Sequence, residues 1–254
     1  MQFFSPENER LDVVNDDIRL IQKKNGLTFG TDALLLASYI QEKPDSHALE
    51  LGGGSGIISF LVLTRKKAKT VTVAEIQPTY ATLICRNAEL NRLSDAVTVL
   101  NADVRTLSPA EDDGSYQYVF SNPPYMTNAG MINQTEEKAI ARHELSGGIA
   151  DFCAAAAKKL KYGGSFYCVF RPERLTDLLD AMRKNCIEPK LLTMVHPACD
   201  MPPCLVLVKG KRGGKPSMIC TKPLFLYADE RHENNSAAYD DILTTGQFPA
   251  DFFV

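Results

Sequence analysis

The fold is decided by the stretch His47-Ala48-Leu49-Glu50-Leu51-Gly52-Gly53-Gly54-Ser55-Gly56, which an apolar run from Ile57 to Leu63 follows. The first five residues predict a buried strand, and the apolar run predicts a helix. Glycines between them are typical of a loop that binds a nucleotide cofactor, because they let the backbone approach the ligand and leave amide groups free at the helix N-terminus. The Gly-x-Gly-x-x-Gly spacing of dinucleotide sites is not met, since Ile57 takes the place of its third glycine. For the loop alone, a glycine-rich structural turn is the alternative.

Strand and helix patterns continue to alternate after this loop. Helices are expected to open near Pro78 and at Ile149 and Glu173, and strands are predicted at Val71 to Glu75, Val97 to Leu100, Tyr116 to Phe120 and Ser165 to Phe170. Such alternation predicts an α/β domain whose parallel sheet carries helices on both faces. Two later β-rich stretches, Lys190 to Val195 and Cys204 to Val208, predict a terminal antiparallel hairpin of the same sheet.

The residues before the first strand predict a small appendage. Residues 1–15 are polar and expected to be irregular, whereas Ile18 to Gln22 and Leu27 to Phe29 predict a β-hairpin, because Asn25-Gly26 supplies the positive φ of a tight turn. Thr31-Asp32 is predicted to cap the helix that follows. The expected organisation is therefore an N-terminal hairpin and helix at 1–43, the main domain at 44–228 and a C-terminal tail at 229–254.

Composition limits the classes of function. The chain has 254 residues, 44% of them hydrophobic, which is enough for one large domain with its own core. A net charge of -3 excludes a uniformly basic surface, so a nucleic-acid partner would have to meet a local patch. The seven scattered cysteines predict reduced thiols and no structural metal site. Because no export signal and no apolar run of membrane-spanning length is present, a cytoplasmic protein without a membrane partner is expected.

The residues Asn122-Pro123-Pro124-Tyr125 follow the predicted strand at Tyr116 to Phe120 and indicate methyl transfer to nitrogen. The side-chain oxygen of Asn122 and the carbonyl oxygen of Pro123 can accept hydrogen bonds from a planar amino group, which would favour the more nucleophilic, pyramidal nitrogen. Tyr125 can stack on the ring that carries the amino group. A Pro-Pro turn without chemistry is the alternative.

Two acidic residues follow the next predicted strands. Glu75 ends the second strand, where a carboxylate can accept both ribose hydroxyls of an adenosine group. Asp103 follows the third strand and can accept from the adenine amino group, while Val104 offers a backbone amide. Each carboxylate alone is more typical of a helix cap or a solvated loop. Their placement at successive strand ends, where open α/β sheets bind ligands, favours a cofactor site.

These motifs resemble the class I methyltransferases that use S-adenosylmethionine, and the Asn-Pro-Pro-Tyr sequence resembles their amino methyltransferases. Further segments, among them Phe29 to Ala37, Ala141 to Glu144, Arg171 to Leu175 and Pro223 to Tyr227, resemble the bacterial tRNA(Val) adenine-N6 methyltransferase family. The resemblance implies a Rossmann-like fold with a mostly parallel seven-stranded sheet, and methylation of N6 of adenine 37 beside the anticodon. Gly53 departs from that family, in which Thr or Cys is usual.

The motifs and the resemblance together give the expected residues of the site. Asn122, Pro123 and Tyr125 would be catalytic. The expected S-adenosylmethionine-binding residues are Gly30, Thr31, Asp32, Glu50, Gly52, Gly54, Gly56, Glu75, Ile76, Asp103, Val104 and Asn122. The residues expected to bind substrate are Pro124, Arg142, His143, Lys23 and Lys24, although Arg142 and His143 could equally belong to a salt-bridged helix end. Basic groups are usually solvated surface. The hypothesis is that Lys23 with Lys24, and a second group of Lys209, Lys211, Arg212 and Lys215, contact RNA.

The expected partner is the anticodon stem-loop of a tRNA, bound by a monomer without a metal ion. Two other functions are open on the sequence. A glutamine-N5 methyltransferase of release factors would present the same planar amino group to Asn122, but the helical N-terminal domain of those enzymes has no counterpart among the residues before the first predicted strand. A non-catalytic RNA-binding module would need no intact Asn-Pro-Pro-Tyr sequence, and this chain has one.

Overall fold

A nine-stranded mixed sheet organises the part of the chain that the structure, a computed structural model, describes: residues 5, 7–26, 28–107, 113–124, 147–229, 231–249 and 251–253. Its strands, in chain order, are β3 (His47–Leu51), β4 (Thr70–Glu75), β5 (Val97–Asn101), β6 (Tyr116–Ser121), β7 (Leu160–Phe170), β8 (Ile187–His196), β9 (Leu205–Arg212), β10 (Ile219–Cys220) and β11 (Leu224–Phe225). The spatial order is β10-β8-β9-β7-β6-β3-β4-β5, and β11 also pairs with β8.

The pairing confirms the predicted α/β fold. Strands β5, β4, β3, β6 and β7 are parallel neighbours, and β9 runs antiparallel to both β7 and β8. The seven strands β3 to β9 are those expected from the sequence. The two-residue strands β10 and β11 add to them by pairing parallel with β8.

Helices cover both faces of this sheet. In the described residues they are α1 (Thr31–Tyr39), α2 (Ile57–Thr64), α3 (Pro78–Leu90), α4 (Ile149–Lys159), α5 (Leu175–Lys184) and α6 (Ala237–Thr245), with short 3-10 helices at Val104–Thr106 and Pro172–Arg174. Residues of α1, α2 and α6 share one core cluster, and residues of α4 and α5 share another. The C-terminal residues belong to the first cluster, since Phe248 packs edge-on against Tyr39 of α1.

The N-terminal hairpin differs from the predicted one. Strand β2 (Arg19–Lys23) pairs with the preceding strand β1 (Glu9–Val13), so residues 1–15 are not irregular throughout, and the turn lies before β2. The predicted turn at 23–26 follows β2 instead. Neither Asn25 nor Gly26 has a positive φ. Gly26 is needed for space, because a Cβ there would lie 2.5 Å from the Tyr80 hydroxyl.

The cap of α1 also differs. Gly30 is the N-cap residue and makes no side-chain cap bond, while Thr31 and Asp32 are the first two residues of the helix. The Asp32 side chain still serves the helix terminus, since its Oδ1 accepts a hydrogen bond from the Ala33 amide at 2.8 Å. A carboxylate in the first turn is stabilised by the positive end of the helix dipole.

Candidate active site

The glycine loop and the Asn122 segment lie at the ends of adjacent strands. Leu51 of β3 is the register partner of Ser121 of β6, and the Ser121 hydroxyl donates to the Leu51 carbonyl at 2.7 Å. The next residues are Gly52 and Asn122. Because neighbouring strands are about 4.8 Å apart, the two motifs start side by side at the carboxyl edge of the sheet.

The glycine loop has a left-handed backbone at Gly52, Gly54 and Gly56, with φ of 78°, 54° and 84°. Three amides of the loop are used inside the protein, whereas the prediction of free amides concerns the N-terminus of α2 and stays a prediction. Those of Gly52 and Gly53 donate to the Ala74 carbonyl, and that of Gly54 donates to Glu75. The loop is therefore fastened to the end of β4, which leaves these amides unable to hold a phosphate.

The close packing around Gly53 accounts for the glycine at this position, where the resembled family usually has Thr or Cys. A Cβ at this position would lie 2.2 Å from Cγ1 of Val73 and 3.0 Å from Cδ1 of Ile84. Any side chain would force the loop away from β4. At Gly54, by contrast, an added Cβ would meet no atom within 4 Å. The open space of the loop is thus on the Gly54 side.

Glu75 stands at the end of β4 with its carboxylate beside that open space. Oε2 accepts from the Gly54 amide at 2.8 Å and Oε1 accepts from the Gln77 amide at 2.9 Å. The side chain is only 5% exposed, and burial raises its pKa while the backbone hydrogen bonds oppose that rise. The backbone of Ile76 also donates to this carboxylate, which has about four acceptor positions, so acceptor capacity for a further donor is left.

Glu50, expected to bind cofactor, lies beneath the loop. It is 1% exposed and accepts a short hydrogen bond from the Ser59 hydroxyl of α2. Burial raises the pKa of Glu50 to about 8. Its contact with Ser59 joins β3 to α2, the two elements that the glycine loop connects.

Asp103 lies after β5, as predicted, but a neighbour already holds it. Its Oδ1 accepts from the backbone amide of Arg105 at 2.9 Å, and its Oδ2 lies 2.5 Å from Nη2 of the same arginine. This guanidinium lowers the pKa of Asp103. The adjacent Val104 is buried and begins the 3-10 helix.

Asn122 contacts Asp32 across 90 positions of the sequence. Its Nδ2 donates to Oδ2 of Asp32 at 3.0 Å, and both residues are half-buried. Pro123 is buried and Pro124 half-buried, so the segment leaves β6 in a confined direction. Of the neighbouring residues predicted to bind cofactor, Thr31 and Ile76 are half-buried and Gly30 is exposed.

The two basic groups predicted to touch RNA lie in different parts of the structure. Lys23 ends β2 with its Nζ 4.8 Å from the ring centroid of Tyr80, in the first turn of α3, which follows the carboxyl end of β4. Lys211 pairs with Ser165 in the middle of β7, and Ser165 pairs in turn with Tyr118 of β6. Along the strands, Lys211 is therefore about 13 Å from Asn122, because four residues with a rise of about 3.3 Å separate Tyr118 from Asn122.

Several site residues escaped the sequence analysis. Asn87 is fully buried in α3, where its side chain bonds Ile21 of β2 and the Ser55 carbonyl of the glycine loop. Asn101 donates to the carbonyls of Glu75 and Ile76. An asparagine on an apolar helix face is a sequence signal that could have identified Asn87. No sequence pattern indicates that Arg105 contacts Asp103. Tyr125, Arg142 and His143 lie outside the described residues.

The described residues fit S-adenosylmethionine. The open side of Gly54 borders the Glu75 carboxylate, which suits ribose hydroxyls, and Asp103 with Val104 follows at the next strand end. The amides of Gly52, Gly53 and Gly54 are bonded inside the protein and so do not bind phosphate groups, which S-adenosylmethionine lacks. In the described part of the chain, no three His, Cys, Asp or Glu side chains are grouped as metal ligands. Nor does any described helix have the length and apolarity of a membrane span.

Relatives of this chain carry the name of a tRNA methyltransferase. A tRNA1(Val) (adenine(37)-N6)-methyltransferase of Enterobacter sp. (strain 638) is 31% identical over 57% of this chain and 58% of its own length. The enzyme of the same name from Parabacteroides distasonis is 24% identical over 73% of this chain and 77% of its own length. For the first three relatives the matched part spans 48 to 58% of their length.

Solved structures share the fold at low identity. A predicted O-methyltransferase from Agrobacterium tumefaciens superposes with a TM-score of 0.70 at 23% identity, over 86% of this chain and 98% of its own. A geranyl diphosphate C-methyltransferase from Streptomyces coelicolor, solved with S-adenosyl-L-homocysteine, gives 0.54 at 16% identity, over 71% of this chain and 76% of its own. The sequence pattern of the methyltransferase small domain matches residues 24–188. The chain belongs to the methyltransferase small domain family.

Proposed function

We propose that the protein is an S-adenosylmethionine-dependent methyltransferase that modifies N6 of adenine 37 in tRNA(Val). The observation that supports this proposal is the position of Asn122. It lies beside the start of the glycine loop, and its side chain is hydrogen-bonded to Asp32. The names of the curated relatives supply the acceptor. The proposed monomer would act in the cytoplasm on the anticodon stem-loop.

The proposed chemistry depends on position more than on acid or base. S-adenosylmethionine would supply a methyl group on a positively charged sulfur, with the sulfur–methyl bond breaking and S-adenosylhomocysteine as the leaving group. The Asn122 side-chain oxygen and the Pro123 carbonyl oxygen would accept hydrogen bonds from the adenine amino group and hold its nitrogen in line with that methyl. As the new bond forms, the nitrogen gains positive charge, which these two oxygens stabilise. The methylated nitrogen then gives up one proton to water, so no strongly basic side chain is needed.

The proposed roles of other residues follow from their places. Glu75 would accept the ribose hydroxyls, with its carboxylate fixed by the Gly54 and Gln77 amides. Asp103 would meet the adenine of the cofactor. Tyr125 and Pro124 would flank the target base, and Lys23 and Lys24 at the carboxyl edge would bind phosphates of the tRNA. Arg142 and His143 are proposed to contact the same RNA.

The test uses the purified protein, labelled S-adenosylmethionine and an unmodified tRNA(Val) transcript. We expect one methyl group per transcript, recovered by nucleoside mass spectrometry as N6-methyladenosine. A matched transcript with guanosine at position 37 lacks the N6 amino group and should stay unlabelled. Label in a release factor but not in either transcript would contradict the proposal and identify a glutamine acceptor. Light scattering measures the molar mass in solution, which should be that of one chain.

A further inference from the structure

We propose that Asp32 is a positioning residue of the acceptor site, which fixes and polarises the carboxamide of Asn122. This role rests on the proposed function, because it concerns the same methyl transfer. It differs from the cofactor contact that the sequence implied for Asp32. Here the carboxylate would act on the amino acceptor through Asn122 and would leave cofactor affinity nearly unchanged.

The Asp32 carboxylate is bound at both of its oxygens in known directions. Oδ1 accepts from the Ala33 amide at 2.8 Å, and Oδ2 accepts from Nδ2 of Asn122 at 3.0 Å. The first bond ties the carboxylate to the N-terminal turn of α1, where the helix dipole favours a negative charge. The second bond reaches the residue that follows β6. Asp32 thus couples α1 rigidly to the acceptor site.

The bond to Asp32 decides which end of the Asn122 carboxamide faces the acceptor. An ionised carboxylate can only accept hydrogen bonds, so the NH2 end of the amide must point to it. A flipped amide would set the Asn122 oxygen against a negatively charged oxygen. The carboxamide oxygen is therefore turned to the opposite side. On the backbone side, the bond from Ser121 to Leu51 and the ring of Pro123 restrict the same residue.

The charge of Asp32 also has an effect during the reaction. Hydrogen bonds in series polarise one another, so a negative charge at the NH2 end increases the electron density on the carboxamide oxygen. That oxygen faces a nitrogen that becomes positive only as the methyl group is transferred. The interaction is therefore stronger in the transition state than in the ground state, and its loss should lower kcat.

The experiment compares Asp32→Ala and Asp32→Asn in the labelled tRNA(Val) assay. We expect Asp32→Ala to lower kcat about tenfold or more, in the range of one lost charge-assisted hydrogen bond. Asp32→Asn should retain part of that activity, because its amide oxygen can still accept from Asn122 but carries no full charge. Calorimetry should give an S-adenosylmethionine Kd within about twofold of the wild type for both variants.

A matched control lies in α6. Asp240 stands in the first turn of that helix and accepts a hydrogen bond from Nδ2 of Asn235 at 2.8 Å, so it repeats the charge, the helix position and the donor. Asp240→Ala should leave kcat unchanged. If Asp32→Ala does not fold, Asp32→Asn alone still tests the role through its separate effects on kcat and on cofactor Kd.

The decisive measurement places Asp32→Ala in an Asn122→Ala background. A residue that acts through Asn122 has nothing left to act on, so the second substitution should cost no further activity. An additive loss, or a parallel loss of S-adenosylmethionine affinity, would overturn the positioning role. A wild-type kcat in Asp32→Ala would also overturn the positioning role, while leaving the proposed function intact. Absence of methyl transfer by the wild type to the transcript would overturn the proposed function and the positioning role together.

Discussion

The two halves of the site are held in place by different means. On the proposed cofactor side, which comprises the glycine loop and Glu75, the carboxylate is bound by main-chain amides of Gly54 and Gln77. On the acceptor side, which comprises Asn122 to Pro124, the carboxamide is bound by the side chain of Asp32 in another element. Main-chain donors survive almost any substitution at their positions. We therefore expect that the substitution of one side chain can disable the acceptor side without disturbing cofactor binding.

The largest effect is expected for Asn122→Ala, which breaks the acceptor side. We expect turnover to fall by about two orders of magnitude or more, because the lost hydrogen bonds act on the transition state. Affinity for S-adenosylmethionine should stay close to the wild-type value. Single-turnover kinetics with the tRNA(Val) transcript and calorimetry with the cofactor measure the two quantities.

The control for this variant is Asn185→Ala, at the C-terminal end of α5. It removes the same side chain outside the candidate site and should not change turnover. Near-normal turnover of Asn122→Ala would contradict the proposed mechanism and remove the distinction between the two sides.

On the cofactor side, Glu75→Gln is expected to give the opposite pattern. A neutral amide loses the charge that would bind ribose hydroxyls and keeps only one acceptor oxygen. The S-adenosylmethionine Kd should rise about tenfold to a hundredfold, as for a lost hydrogen bond to a charged group. At saturating cofactor, kcat should change little. The exposed Glu89→Gln on α3 is the control, and an unaltered Kd in Glu75→Gln would contradict the ribose assignment.

A smaller effect on cofactor affinity is expected for Arg105→Ala. This variant tests whether the side chain that holds Asp103 is as important as the main-chain amides that hold Glu75. The ion pair between Arg105 and Asp103 is exposed to water, and such pairs contribute little. The cofactor Kd should change by less than about fivefold, and the pKa of Asp103 should rise towards its ordinary value. NMR titration of the Asp103 carboxyl checks the second effect. A change in Kd as large as that of Glu75→Gln would contradict this expectation and show that Arg105 is as important for cofactor binding as Glu75.

The smallest effect on the reaction is expected for Glu50→Gln, which changes the pH dependence of stability. Burial raises the folded-state pKa of Glu50 from its ordinary value of 4.5 to about 8. Its protonated form thus contributes stability that is present below about pH 4.5 and lost as the pH rises through about 8. Gln, which can still accept from Ser59, removes this loss.

Urea unfolding at several pH values measures this effect. Relative to the wild type, Glu50→Gln should gain unfolding free energy between pH 5 and pH 9, while Glu89→Gln should show no such trend. A constant difference between variant and wild type across this range would mean that Glu50 does not titrate as its burial requires.

Much of the fold was predictable because its signals are local. The alternation of strands and helices gave the parallel sheet, and the order strand, glycine loop, helix gave the cofactor edge. The hairpin was predicted with the wrong partner strand. Its turn residues Asn25 and Gly26 do have a turn-like sequence, but β2 pairs with β1 and is bonded to α3 through Ile21 and Asn87. Pairing of this kind leaves no local pattern.

By itself, the sequence determined which residue types stand at the ends of successive strands: Glu75, Asp103 and Asn122. Chain-local hydrophobic periodicity and glycine positions suffice for that, because they decide where a strand must end. Only the tertiary structure decided what those residues touch. It placed Asp32 against Asn122, and it directed the basic end of β9 away from Asn122. Such contacts join positions far apart in sequence, and their partners are selected by the packing of helices on the sheet.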